Sequence, residues 1–285
     1  MSPGDGPAAV RWRRLVTDRL AELERLSPAA GSVSGSFWDN RAGRYAAGVR
    51  RANTERDPFL RRLRRLTDAS STVIDVGAGT GRFALVLADG VSHVTAVEPS
   101  SAMLAILQRD AEELGADNLT AVQATWDEAR VEPADVAFAA FVLTLVPDAV
   151  AFLAKLDATA RRHALLYLGA YSGDAVLDPL WRHFHGAPRV PGPSYLDAVA
   201  VLHELGVEHR VKVVEVPDHR RWAIIEDAVE SYRDALLLDD TAQVRTELAG
   251  LLASWLLGRR GAYRSPLRVV PAAIVEWKGG QLTGG

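Results

Sequence analysis

Val73-Ile74-Asp75-Val76-Gly77-Ala78-Gly79-Thr80-Gly81-Arg82-Phe83 is the stretch that decides the fold. A short apolar run, Thr72–Val76, leads into a turn of alternating glycines, and the chain leaves it as a helix over Gly81–Ala88. A turn of this kind lets backbone come close to a ligand and aims N–H groups outward from a helix start. A Cβ at Gly77 or Gly79 would obstruct that approach. A bare G-x-G is weak, since dinucleotide enzymes use a related turn. Here the spacing is G-x-G-x-G followed by Arg82, so the third glycine of G-x-G-x-x-G is missing.

Outward from this turn, strands and helices alternate. His93–Glu98 reads as the next strand and Ser100–Leu114 as a helix, with Ser100 as N-cap and Gly115 just past its end. Leu119–Gln123, Asp135–Phe141 and His163–Gly169 are three more strands. This alternation predicts an α/β fold with a doubly wound, mostly parallel sheet and helices on both faces. Beyond Ala170 the rhythm changes. Tyr171–Pro193, rich in Pro, Gly, His and aromatics, reads as a long loop. Ser194–Leu205 is a helix with a capping pair in Ser194 and Asp197. Val211–Val216 is a strand, helices follow near Ile225–Leu238 and Ala242–Leu257, and Leu267–Trp277 returns as a strand. Pro271 lacks a ladder donor and so predicts an edge or a bulge there. The last residues, Gly279–Gly285, read as frayed.

On the N-terminal side, Trp12, Leu15, Val16, Leu20, Leu23 and Leu26 fall at helical spacing until Ser27-Pro28. Gly31–Ser36 reads as a linker, and a short helix carries Trp38, Ala42 and Tyr45 on one face. Asp57-Pro58 starts a helix whose apolar side is Phe59, Leu60, Leu63 and Leu66. The organisation that follows is an N-terminal helix and linker over residues 1–36, then one domain over 37–285 with inserts at about 171–206 and 221–265. The first helix could cover the core or pair with another subunit as a homodimer.

The chain has 285 residues, of which 48% are hydrophobic and 24% charged, as in an ordinary globular protein. A net charge of −3 argues against a bulk electrostatic grip on nucleic acid or membrane. The arginines of Arg61–Arg65 sit beside Leu60, Leu63 and Leu66, the pattern of a solvated amphipathic face. No cysteine is present, so thiolate metal sites and a cysteine nucleophile are excluded, and a cytoplasmic setting is expected. No apolar run approaches the roughly 18 residues of a membrane span. The seven histidines show no metal-ligand spacing, so no metal is expected.

The second chemical feature is Glu98, at the end of the second strand and 17 positions after Gly81. A carboxylate there can accept both hydroxyls of a ribose. Asp75-Val76-Gly77-Ala78-Gly79-Thr80-Gly81, followed by Val97-Glu98-Pro99-Ser100-Ser101-Ala102-Met103-Leu104, resembles the class I S-adenosylmethionine-dependent methyltransferases of small-molecule type. The likeness covers about Phe37 to Gly169. It implies a Rossmann-like sheet of seven strands, one antiparallel, with Val211–Val216 and Leu267–Trp277 as a final pair split by an inserted helical cap. It implies S-adenosyl-L-methionine as cofactor and S-adenosyl-L-homocysteine as product. Gly77, Ala78 and Gly79 would line the methionine moiety, and Asp75 would help hold its ammonium group. Glu98 would bind the ribose, and Pro99 and Met103 would border the adenine. Thr125-Trp126-Asp127 matches the segment that hydrogen-bonds adenine, with a threonine where the family often has an acidic residue. Ala140-Phe141-Val142-Leu143 matches the fourth-strand motif beside the sulfonium. Trp38, Arg41 and Tyr45 resemble the helix that closes over the cofactor.

Methyl transfer is an in-line displacement that rewards a desolvated, well-aimed nucleophile, and some enzymes add a general base. Ligands of doubly wound sheets bind beyond the carboxyl ends of the strands. The loop after the fifth strand is therefore where a base is expected, and Tyr171, His183 and His185 are its candidates. The fourth-strand motif lacks the Asn/Asp-Pro-Pro-aromatic signature of enzymes that methylate exocyclic base nitrogens. A small-molecule acceptor is the expectation. RNA or protein methylation, and a non-catalytic S-adenosylmethionine-binding protein, are the alternatives.

Overall fold

The structure is a computed structural model that describes residues 6–26, 39, 42–43, 46, 54–170, 176–218, 220–258 and 262–282. Strands β1 (Thr72–Val76), β2 (His93–Val97), β3 (Leu119–Val122), β4 (Ala134–Ala140), β5 (Ala160–Gly169), β6 (His209–Pro217) and β9 (Val269–Lys278) form one sheet in the order β3-β2-β1-β4-β5-β9-β6. All pairings from β3 to β5 are parallel, and β9 runs antiparallel to both β5 and β6. The expected doubly wound, seven-stranded sheet with one reversed strand is present. The strand order reverses between β1 and β4, which leaves a crevice at their carboxyl ends.

The alternation of side chains along each strand explains the two cores. Ala137 and Ala139 of β4, with Leu166 and Leu168 of β5, pack under helices α1 (Pro7–Leu26), α5 (Ala149–Thr159) and α7 (Tyr195–Glu204). Val136 and Phe138, with Leu165 and Tyr167, face α2 (Pro58–Leu66), α3 (Ala84–Ala88) and α4 (Ser101–Leu114). The first helix is tied into this body. Trp12 is fully buried, and its indole N–H donates to the Val146 carbonyl at 2.9 Å. Capping follows chemistry legible in the sequence. Asp57 accepts from Phe59 N–H, Ser100 caps α4 through Met103 N–H, and Ser194 and Asp197 form a capping box.

Three expectations change. Tyr171–Pro193 is not loop throughout, because α6 (Asp178–His185) occupies its centre. Asp178 and Pro179 stand in the first turn of this helix behind Leu177 as N-cap, whereas at α2 the N-cap is Asp57 itself. Pro271 lies on an internal strand, yet its missing donor does no harm. In an antiparallel pair a residue's N–H and C=O point the same way. The Pro271 carbonyl accepts Ala170 N–H, so the absent N–H would face β5 just past the last β5 pair, Gly169 with Ala272. The C-terminal segment is held through Leu282: fully buried Asp157 accepts from Trp277 Nε1 and from the N–H groups of Gln281 and Leu282.

The chain between β6 and β9 forms a two-stranded ribbon, β7 (Arg221–Trp222) with β8 (Tyr263–Arg264), and helices α8 (Ile225–Ala235) and α9 (Ala242–Trp255). Together with α6 these helices enclose a third core of Leu180, Trp181, Trp222, Tyr232, Leu248 and Leu252. The α6 segment and the chain between β6 and β9 therefore build one cap, whereas α7, within the first expected insert, packs on the sheet. Arg19 of α1 lies over the Trp181 ring, 5.9 Å from its centre, and α1's Glu22 accepts Val190 N–H, so the first helix braces the cap.

Candidate functional site

A cavity of about 780 Å³ opens at the carboxyl ends of β1, β2 and β4. That volume lies in the range of small-ligand sites. One wall is the glycine turn. Gly77 and Gly79 line the cavity and adopt φ of +70° and +57°. A Cβ on Gly77 would sit 2.3 Å from Val142 Cγ2, so glycine is required there for space as well as for conformation. The turn's amides are spent inside the protein rather than aimed outward. Gly77 and Ala78 N–H both donate to the Val97 carbonyl, and Gly79 N–H donates to Glu98 Oε2 at 2.9 Å.

Glu98 is the hinge of this corner. It lines the cavity yet is only 4% exposed, and its other oxygen accepts Ser100 N–H at 2.9 Å. Burial pushes its carboxyl above the ordinary range, the N–H groups of Ser100 and Gly79 pull it back, and Asp39 pushes it up. Each carboxylate oxygen has room for two donors, so one acceptor position per oxygen is left. That capacity matches a vicinal diol. Asp75 and Ala78 are not among the residues lining the cavity. Asp75 lies behind the turn, 2% exposed, and accepts Ala84 N–H while Oδ2 has no hydrogen-bond partner among the described residues. Burial raises it to about 8, and the neighbouring Glu98 adds to the rise.

Pro99, Met103, Thr125, Trp126, Asp127, Ala140 and Phe141 all line the cavity, as do Val142 and Phe152. The Thr125 hydroxyl donates to Glu128 Oε2 at 2.8 Å, which leaves its oxygen as an acceptor. Phe141 departs from ordinary backbone. Its φ is +62°, its N–H donates to the Tyr167 carbonyl, and its ring is 41% exposed. A bulky residue held in the left-handed region stores strain of about 1–3 kcal/mol, and such residues cluster at ligand sites.

Two of the loop candidates for a base, His183 and His185, are not among the residues lining the cavity. His183 Nε2 lies 2.7 Å from Glu247 Oε1, and His185 Nε2 lies 2.8 Å from the Leu236 carbonyl with its ring 4.1 Å from Trp181. Both sit on α6 and bind the cap to itself, because the segment read as an open loop is helical. Tyr171, Trp38, Arg41 and Tyr45 lie outside the described residues. Two features at or beside the cavity escaped sequence reading. Asp39 accepts from Ser100 Oγ at 2.6 Å and from Ala102 N–H at 3.1 Å, at the start of α4. Lys155 of α5 lines the cavity and donates to three backbone carbonyls. Asp39 follows Trp38 directly and was a legible polar neighbour; Lys155 carried no local signal.

The titratable groups in the lining are Glu98, Asp127, Asp148 and Lys155, and Glu98 and Lys155 are committed to backbone. Among the described residues, no group of His, Asp and Glu is arranged to hold a metal ion, and no helix is long and apolar enough to cross a membrane. The site thus offers a glycine floor, a buried diol acceptor and an apolar slot. These features fit the nucleoside and amino-acid ends of S-adenosylmethionine.

Comparison with known proteins agrees. Residues 73–162 match the family model described as methyltransferase domain. An uncharacterized protein of Haemophilus influenzae is 28% identical over 181 residues, 62% of this chain; the match spans 66% of that relative, just under two thirds of its length. Among solved structures, the YcgJ protein of Bacillus subtilis is similar with a TM-score of 0.53 at 14% identity, covering 77% of this chain and 97% of that one. Geranyl diphosphate methyltransferase in complex with S-adenosylmethionine is similar with a TM-score of 0.50 at 13% identity, covering 88% and 94%. At such identities the likeness carries the fold.

Proposed function

We propose that this chain, a class I S-adenosylmethionine-dependent methyltransferase by family and fold, delivers the methyl group to a small, apolar or aromatic acceptor. The observation that carries the cofactor half is Glu98, a buried carboxylate that faces the cavity and is locked to the glycine turn. S-adenosylmethionine, when bound, supplies a methyl group on a positively charged sulfonium open to in-line displacement. The chain's own part is to grip and orient. Glu98 would take the ribose hydroxyls, Gly77 and Gly79 would admit the methionine end, and Met103 with Trp126 would enclose the base. Phe141, Val142 and Leu145 present apolar surface at the fourth-strand exit, which favours an apolar acceptor and keeps water from the reacting centre. Among the described residues no histidine lines the cavity, which favours catalysis by positioning and desolvation.

The arginines of Arg61–Arg65 give RNA binding little support. Arg62 pairs with Glu276 through two hydrogen bonds at 2.7 and 2.6 Å, and Arg64 pairs with Glu55. The test is methyl tracing: the protein is incubated with label-bearing S-adenosylmethionine and a cell extract, then separated into small molecules, RNA and protein. Label is expected in the small-molecule fraction. Label confined to RNA or protein would overturn the acceptor class.

A further inference from the structure

The cavity has a wall that the sheet does not build. Residues 125–129 leave β3 as a single helical turn, in which Ala129 N–H donates to the Thr125 carbonyl. Such a turn ends in carbonyls with no intrahelical partner and carries partial negative charge there. Lys155 comes from a different element, α5, and its ammonium donates to the carbonyls of Trp126 at 2.5 Å, Asp127 at 3.1 Å and Ala129 at 2.5 Å. An ammonium has three donors, and all three are used on this one turn. Its nitrogen also lies 4.7 Å from the centre of the Trp126 ring. Trp126 completes the link in return, donating its indole N–H to the Phe152 carbonyl of α5 at 3.3 Å.

The geometry is that of a clip. Thr125, Trp126 and Asp127 of the turn and Ala151, Phe152 and Lys155 of α5 all line the cavity. The turn is held against α5 by this ammonium, by one indole N–H and by packing of the Trp126 ring on Phe152, with ring centres 6.2 Å apart. Burial costs this ammonium, pulling its pKa below the ordinary lysine range, with Asp127 opposing that shift and Arg130 adding to it. A lysine here is thus held at some expense to its own solvation.

Building on the cofactor assignment above, we propose that Lys155 is a positioning residue. It fixes the place of the turn that carries Thr125, Trp126 and Asp127, and so affinity for the adenosine half of the cofactor, without touching the reacting atoms. Arginine would keep part of the clip, because its guanidinium also donates to carbonyls; methionine would fill the space and donate nothing.

The experiment compares wild type, Lys155→Met and Lys155→Arg by calorimetric titration with S-adenosylmethionine, S-adenosylhomocysteine and 5′-methylthioadenosine, alongside thermal melts without ligand. Lys155→Met is expected to weaken all three by the same factor, roughly ten- to thirtyfold. Lys155→Arg should recover part of that loss, and kcat at saturating cofactor should stay within about twofold of wild type. Unchanged affinity in folded Lys155→Met would overturn the proposal, as would weakened S-adenosylmethionine binding with intact 5′-methylthioadenosine binding. A variant that melts before titration is replaced by Lys155→Arg, whose affinity must then fall about two- to fivefold below wild type in step for all three ligands; unchanged or unequal affinities overturn the clip. Wild type that binds none of the three would overturn the cofactor assignment itself, and the clip with it.

Discussion

The glycine-turn corner and the helical cap are held in opposite ways. At the corner, position is enforced by backbone: three glycines with positive φ, two buried carboxylates and amides spent on Val97 and Glu98. The cap is a satellite core, in which Trp181, Tyr232, Leu248 and Leu252 are packed to less than 3% exposure by helices contributed from two separate inserts. The corner cannot change without losing its ligand geometry. The cap can change in sequence as long as its volume is filled, which suits an element that adapts to an acceptor.

That contrast can be broken at several points. Gly77→Ala should have the largest effect. It forces a side chain into the left-handed region and against Val142, so S-adenosylmethionine affinity should fall by roughly a hundredfold or more. Calorimetric titration reads it, and retained affinity would show the turn to be pliable. Trp181→Ala should cost about 3–5 kcal/mol of cap stability, seen as faster hydrogen exchange over residues 178–185 and 225–255. Cofactor affinity should shift by no more than about twofold, given additivity between distant sites. A matching loss of affinity would mean that cap and corner are one unit.

Asp75 gives a smaller, pH-dependent effect. Its carboxyl is raised from 3.8 to about 8, so the folded chain holds a proton there that the unfolded chain releases. Stability from the protonated form is full below 3.8, declines as pH rises through that window, and is gone above about 8. Asp75→Asn should remove this slope, at most about 1.4 kcal/mol per pH unit, in urea melts across the window. An unchanged slope would place the titration elsewhere. The smallest effect is expected at α6: His183→Gln and His185→Gln should leave methyl transfer within about twofold, because both rings serve the cap. A large fall in kcat would return the base to that helix.

The corner was legible because its requirements are local. Val73–Val76, the glycine spacing and Glu98 each announce strand, turn and strand end from neighbouring residues alone. The doubly wound, mostly parallel pairing follows from the same alternation. The cap was half legible: the apolar stripes of α8 and α9 show in the sequence, but α6 was hidden among Pro, His and Trp that also suit loops. The Asp178-Pro179 pair was its one start signal. That α6, α8 and α9 share a core is a tertiary fact with no local trace. Lys155 is the same case at the site. Its meaning comes from carbonyls about 28 positions away in sequence.

The most direct measurement is calorimetric titration of S-adenosylmethionine into wild type and Glu98→Ala, with thermal melts of both. Saturable one-to-one binding by wild type is expected, with affinity roughly a hundredfold weaker in a folded Glu98→Ala, since charge-assisted bonds to the ribose and the anchor of Gly79 are lost together. Equal affinity in the two proteins would contradict the placement of the cofactor between the glycine turn and Glu98.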